Sequence, residues 1–149
     1  MRRSLPMCSP RSTPPTQTTS TERLRSTLVL RQNEGGWAVI AAVNPNVTID
    51  SPEAQSEVPG DEPIIVEGLG RGFEATILAR VETVDGSLLL GDIGMGGSAE
   101  TPEPYSVTVD LGDDDLTGQT LAIIARGDTG LDDDPGEFSA VPVVVAAAG

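Results

Sequence analysis

Short β-rich segments divided by turn-forming residues recur from Asn44 to the end of the chain, and this spacing constrains the fold most. The candidate strands span residues 47–50, 64–68, 74–84, 87–93, 105–111, 120–126 and 140–146, with no helical pattern between them. Short strands with turns at such regular intervals are typical of all-β sandwiches and barrels. Seven strands are the usual number for a sandwich, so the sequence predicts an all-β sandwich over this region.

Apolar and polar side chains alternate within these segments and indicate which residues face the core, because successive side chains of a strand point to opposite faces. The predicted inward-facing residues are Ala75, Ile77, Ala79, Val81, Tyr105, Val107, Val109, Leu111, Leu121, Ile123 and Ala125. Phe73 and Tyr105 are predicted to be core anchors, because aromatic residues are too few for a sugar-stacking surface. Asp85-Gly86 predicts a two-residue hairpin turn, since its glycine accepts a positive φ.

The N-terminal part of the chain has a different character. Residues 4–21 are rich in Ser, Thr and Pro and cannot bury enough apolar surface to offset the entropy lost on ordering. Two β-rich runs at 27–32 and 37–42, separated by a polar turn with two glycines, predict a β-hairpin that needs a partner or the sandwich to cover it. We therefore expect a disordered linker at 1–26, a hairpin at 27–43 that is the remnant of an upstream domain, and the sandwich at 44–149.

Composition excludes several classes of function. The chain contains no histidine, which rules out Ser-His-Asp and Cys-His catalytic arrangements and histidine metal sites. Cys8 is the one cysteine, so there is no intrachain disulfide and no cysteine metal site. The formal net charge is −14, and an acidic surface repels nucleic-acid backbones and anionic membranes. No apolar run reaches the length of a membrane span, and no signal peptide or anchor is recognised in the sequence.

The acidic clusters at 113–115 and 128–134 carry the candidate metal ligands. Carboxylate oxygens are the ligands that Ca²⁺ prefers in proteins. The second cluster does not fit the helical calcium loop, because Asp133 stands where that loop needs glycine and Ser139 where it needs glutamate. Solvated acidic loops without any cofactor are the simpler interpretation, with calcium as the alternative. The candidate calcium ligands are Asp113, Asp115, Asp128, Asp132 and Asp134.

The run Gly68-Leu69-Gly70-Arg71-Gly72 contains three glycines but does not match a phosphate-binding loop. Its third glycine is misplaced for the GxGxxG pattern, and no helix is predicted after it. A turn between two strands is the interpretation that we adopt.

Several short motifs follow one another in a fixed order along the sandwich region. They are Ile49-Asp50-Ser51-Pro52, Pro63-Ile64-Ile65-Val66-Glu67-Gly68, Gly72-Phe73-Glu74-Ala75-Thr76, Ala79-Arg80-Val81, Asp85-Gly86, Pro104-Tyr105-Ser106-Val107-Thr108-Val109 and Val141-Pro142-Val143. Their order and spacing resemble the immunoglobulin-like domain at the C-terminal end of bacterial spore-germination and sporulation-type envelope proteins, over residues 47–145. The resemblance implies an immunoglobulin-like β-sandwich of about seven strands with no known catalytic residues.

The resemblance also implies a location and a role. In that family the domain lies behind a signal peptide or lipid anchor and another extracytoplasmic domain, so we expect an envelope location and a truncated copy or a misplaced start codon. The resulting hypothesis is a non-catalytic interaction module whose partner is an envelope protein or cell-wall component, without nucleic acid and without direct membrane insertion. Two alternatives stay open: a passive structural spacer, and a calcium-dependent protein- or glycan-binding domain.

Overall fold

The computed structural model describes residues 26–84, 86, 89–98, 100–134 and 136–147. Its strands are β1 (Thr27–Asn33), β2 (Gly36–Val43), β3 (Glu57–Val58), β4 (Ile64–Gly70), β5 (Thr76–Thr83), β6 (Leu89–Met95), β7 (Glu103–Val109), β8 (Thr120–Gly127) and β9 (Phe138–Val145). A 3-10 turn, Phe73–Ala75, precedes β5, and no helix able to cross a membrane occurs in this part of the chain. The linker predicted at 1–26 lies, except for Ser26, outside the described residues.

Two β-sheets pack face to face. The larger sheet has the strand order β1-β2-β9-β8-β5-β6, with the short β3 beside β9, and the smaller sheet consists of β4 and β7. Neighbouring strands are antiparallel, except that β3 and β9 run parallel. The predicted all-β sandwich is therefore confirmed.

The hydrophobic core lies between β4 and β7 on one side and β5, β8 and β9 on the other. Every second residue of these strands is buried, because side chains alternate between the two faces of a sheet. Of the side chains predicted to face inward, all but the half-buried Ala75 are buried. The core also contains Val47, Val58, Ile64, Val66, Leu116, Val141, Val143 and Val145.

Three segments differ from the sequence prediction. Residues 47–50 do not form a regular strand and contact β4 through isolated bridges, the first of them Val47↔Gly70. β5 begins two residues later than predicted, because Glu74 and Ala75 have positive φ angles that an extended strand does not contain. β3 has no counterpart in the prediction, since a strand of two residues shows no alternation.

The predicted turn between β5 and β6 is described in part. Gly86 has a φ of +71°, and its amide donates a hydrogen bond of 2.9 Å to the Thr83 carbonyl oxygen. The positive φ expected at this glycine is therefore present, whereas Asp85 lies outside the described residues.

The predicted hairpin is present and joins the larger sheet. β1 and β2 pair along their whole length, with one bulge between Val29 and Leu30. β2 pairs with β9 through Ala42 and Ala140. β8 pairs with one edge of β9 along its length, so β2 and β3 share the other edge. β3 occupies that edge near the end of β9, at Val144 and Val145. The hairpin therefore leaves the sheet as it extends toward its tip, and its assignment to an upstream domain stays a prediction.

A buried polar cluster fixes the point where the hairpin meets the sandwich. The Ser139 hydroxyl accepts a hydrogen bond of 2.8 Å from the Asn44 amide and donates one to the Val47 carbonyl oxygen. The Asn44 side-chain oxygen accepts a hydrogen bond of 2.8 Å from the Asn46 amide. Asn44 and Ser139 are both buried, so these groups depend on one another for hydrogen bonds rather than on solvent.

Replacing Ser139 by alanine should lower the free energy of unfolding by about 1–3 kcal/mol, because a buried amide and a buried carbonyl group lose their partner. Urea denaturation followed by circular dichroism measures this difference. Ser106 is an exposed serine on β7, and Ser106→Ala should change stability by less than about 0.5 kcal/mol. Equal effects of the two substitutions would show that the cluster adds no stability.

Candidate functional site

A cleft lies at one end of the sandwich. β4 and β8 end there, and β5 and β9 begin there. The segments that connect these strands, 71–75 and 128–137, form the two walls of the cleft. Its volume is about 400 Å³, and its lining includes Arg71, Phe73 and Leu131.

A glycine allows the two walls to approach closely. A Cβ atom at Gly72 would lie 2.2 Å from the Thr76 carbonyl oxygen and 2.8 Å from the Asp128 amide nitrogen. The Phe73 amide donates a hydrogen bond of 2.7 Å to the Asp128 carbonyl oxygen, and the Asp128 amide donates one of 3.0 Å to Thr76. The glycine-rich run 68–72 is thus not wholly a turn, since its first three residues belong to β4.

Phe73 faces the cleft, so the prediction that it anchors the core is wrong. Its side chain is 52% exposed, and its ring lies over Gly130, where an added Cβ would stand 3.0 Å from a ring carbon. The physical reason is the positive φ of Glu74 and Ala75, which redirects the chain before β5 begins. Non-glycine residues rarely adopt this conformation, so no sequence pattern predicts it.

Tyr105 is the core anchor that the sequence predicts. Its side chain is 4% exposed, and its hydroxyl donates a hydrogen bond of 2.6 Å to the Thr48 carbonyl oxygen. Burial, and to a smaller extent the negative charge of Asp50, raises the pKa of Tyr105 above its ordinary value. The tyrosine therefore holds the irregular segment 47–51 against β4 and β7.

An ion pair closes one side of the cleft. Arg71 Nη2 lies 3.4 Å from Glu137 Oε2, and the Asn46 side-chain amide donates a hydrogen bond of 2.9 Å to Glu137 Oε1. Arg71 Nη1 also donates a hydrogen bond of 3.2 Å to the Glu100 carbonyl oxygen. The pair is partly exposed, so it adds about 1 kcal/mol or less to stability. The pairing of Arg71 with Glu137 could not be predicted from the sequence, because residues 66 positions apart share no local motif.

The acidic loop at the cleft uses two carboxylates to shape its own backbone. Asp128 Oδ1 accepts a hydrogen bond of 3.2 Å from the Gly130 amide, and Asp134 Oδ1 accepts one of 3.0 Å from the Gly136 amide. Both glycines have positive φ, and an aspartate that bonds the backbone two residues later is a common turn arrangement. Between these two turns, Leu131 is 66% exposed.

The candidate calcium ligands do not come together. Asp113 and Asp115 precede β8 in the chain. The other three candidates, Asp128, Asp132 and Asp134, follow it. A strand of 8 residues lies between the groups, which separates them by roughly 25 Å at the usual rise per residue. Among the residues that the structure describes, no three acidic side chains are placed to hold a metal ion. Hydrogen bonds from the side chain and then the backbone of Thr117 lower the pKa of the exposed Asp115 carboxyl.

Most of the sandwich matches one known family. The family model of the immunoglobulin-like domain of bacterial spore germination matches residues 46–127, more than half of the chain. The chain belongs to this family. Membership confirms the resemblance inferred from the motifs and the immunoglobulin-like β-sandwich that it implied. Comparison with curated proteins and with solved structures gives no match.

The matched region of this spore-germination domain contains one wall of the cleft. Residues 46–127 include Arg71 and Phe73 and all strands from β3 to β8. The acidic loop 128–137, β9 and the hairpin lie outside the match. One wall of the cleft, residues 71–75, therefore lies inside the region that the family model matches. The other wall follows that region in the chain.

Proposed function

We propose that this spore-germination domain is a non-catalytic interaction module that acts at the cell envelope and binds its partner in the cleft at the end of the sandwich. The observation that carries the proposal is the exposure of two large apolar side chains, Phe73 and Leu131, at the lining of one concave site. Large apolar groups exposed together around a cleft are typical of binding surfaces.

The backbone of the cleft favours a binding role. Glu74 and Ala75 have φ angles of 51° and 61°, and each non-glycine residue in this region costs roughly 1–2 kcal/mol. Burial does not account for this conformation, because no residue of the turn Phe73–Ala75 is fully buried. Strain of this kind persists mainly at functional sites, and here it presents Phe73 to the solvent.

The charges of the cleft indicate the chemistry of the partner. Asp128, Asp134 and Glu137 contribute three carboxylates to the lining, against the one guanidinium of Arg71. A partner with apolar groups and a positive charge complements this surface. We therefore propose an envelope protein or a cell-wall component that carries a cationic group.

Immobilised full-length chain should retain one saturable component from the envelope extract of a spore-forming bacterium. The double variant Phe73→Ala/Leu131→Ala should bind it at least about 30-fold more weakly, because exposed apolar anchors supply most of the energy of such sites. The matched control is Ile65→Ala/Val84→Ala, which truncates two comparably exposed apolar residues elsewhere. This control should bind like the unmodified chain.

The other outcomes separate the alternatives. A chain that retains nothing above a denatured control would contradict the binding proposal and favour a passive spacer. Retention that survives in the Phe73→Ala/Leu131→Ala variant would place the binding surface outside the cleft. Retention that a chelator abolishes would favour the calcium-dependent alternative through the acidic loop, which Asp132→Asn would then weaken.

A further inference from the structure

The hairpin exposes one strongly apolar face. Residues that pair directly across two antiparallel strands lie on the same face, and the pairs Gln32↔Trp37, Leu30↔Val39 and Leu28↔Ala42 define this one. Trp37 is 69% exposed, Val39 58% and Leu30 51%. Leu28, two residues before Leu30 on β1, lies on the same face and is 57% exposed. We call the face formed by Leu28, Leu30, Trp37 and Val39 the hairpin face.

Nothing in the described part of the chain covers the hairpin face. The smaller sheet lies over β5, β8 and β9, and the hairpin extends the larger sheet beyond it. On the opposite face of the hairpin, Arg31 Nη1 donates a hydrogen bond of 2.7 Å to Gln55 Oε1. That bond draws the opposite face toward the sandwich, so the hairpin face is directed away from it.

The segment that precedes the hairpin does not have the composition to cover it. Residues 1–25 contain five arginines, and their large aliphatic side chains are Met1, Leu5, Met7 and Leu24. Three of these residues fall within the first seven positions and Leu24 stands alone, so they form no apolar stripe along the segment. Residues 1–25 therefore offer no apolar surface that matches the hairpin face.

Charge favours a second copy of the chain at this surface. Residues 26–43 carry Arg31 and Glu34, which cancel, whereas residues 50–149 carry 21 acidic residues and three arginines. The hairpin is thus a neutral apolar surface on a strongly acidic molecule. Two copies that meet here bring together uncharged surfaces and keep their acidic sandwiches apart.

We propose that two copies of the chain form a two-fold dimer in which one hairpin face packs against the other. An isolated two-stranded hairpin is marginal in water, and face-to-face packing supplies the missing layer. The exposed apolar side chains amount to on the order of 1,000 Å² over both copies, which reaches the lower end of specific interfaces. The proposal concerns a different surface from the cleft and stands independently of the cleft's function.

Sedimentation equilibrium of the full chain tests the dimer. At about 100 μM the mass should approach twice the 15.4 kDa of one chain. The dissociation constant of the dimer should fall several-fold between about 50 mM and about 500 mM salt, because salt screens the repulsion between the two acidic sandwiches. Val39→Lys should weaken association at least 30-fold, since it places a charge in the apolar contact. Val84→Lys adds the same charge at an exposed position away from the hairpin and should leave association unchanged.

A chain that stays monomeric at every salt concentration would overturn the proposal. A dimer that Val39→Lys leaves intact, or that weakens as salt is added, would overturn it as well. Circular dichroism shows whether Val39→Lys remains folded. Should it unfold, Trp37→Ser at the exposed tip of the hairpin replaces it with the same expected loss of association.

Discussion

Replacing Gly127 by alanine is expected to destabilise the sandwich by about 3 kcal/mol or more, a large part of the stability of a domain of this size. An added Cβ would lie 2.0 Å from the Arg71 carbonyl oxygen and 3.4 Å from the Gly72 Cα atom. Both are backbone atoms, so no side-chain rotation relieves the clash. The Gly127 amide donates a hydrogen bond of 3.2 Å to the Glu137 carbonyl oxygen, and Gly127 also pairs with Ile77, which holds the strand in place.

Gly118→Ala is the control for this substitution. Gly118 has a φ of +74° but no atom within 4 Å of an added Cβ, so alanine there meets backbone strain of about 1 kcal/mol and no clash. Urea denaturation of both variants measures the difference between the two effects. Similar losses would show that the Arg71 and Gly127 segments are not held in close contact.

Raising the pH above about 10 should progressively lower the free energy of unfolding through ionisation of Tyr105. Its pKa is raised in the folded state, chiefly by burial, so the folded protein binds its proton more tightly than the unfolded chain does. The free energy of unfolding therefore keeps its full value below about pH 10, the pKa of tyrosine in the unfolded chain. Above that pH it falls by about 1.4 kcal/mol per pH unit until the pH reaches the pKa of Tyr105 in the folded protein. Tyr105 is the one tyrosine and there is no lysine, so few other groups titrate in this range.

Urea denaturation between about pH 9 and about pH 11.5 measures the effect, and the absorbance of tyrosinate should appear together with unfolding. Tyr105→Phe should cost about 1 kcal/mol at neutral pH, because the Thr48 carbonyl oxygen loses its donor. The same variant should lose most of the alkaline dependence. An unchanged slope in Tyr105→Phe would mean that another group controls alkaline unfolding.

The core could be predicted from the sequence because burial on a strand repeats every two residues. The inward residues of β5, β7 and β8 follow this period, and the structure buries them as expected. β3 could not be predicted, since its two residues are defined by a distant partner, Val144 and Val145 of β9. Local periodicity thus identifies strands that form the layers of the sandwich and misses those that exist only through pairing.

The cleft was less predictable than the core for the same physical reason. Phe73 is an aromatic residue beside a strand, and its apolar character alone favours burial. Its exposure depends on the unusual backbone of Glu74 and Ala75, which neither residue type prefers. The ion pair of Arg71 with Glu137 depends on tertiary structure. Acidic residues are so frequent in this sequence that Glu137 could not be recognised as the partner of Arg71.

The position of β9 in the sheet has a consequence for how the chain is made. β9 follows the other eight described strands in chain order, yet it is the neighbour of β2, β3 and β8. A nascent chain therefore cannot attach the hairpin or close the core until Phe138–Val145 has left the ribosome. During that interval the inner side chains of β8 and the whole hairpin remain open to aggregation or to chaperones. Completion of the sandwich thus waits for β9, and a premature stop before Phe138 would deprive β2, β3 and β8 of the one strand that they all pair with.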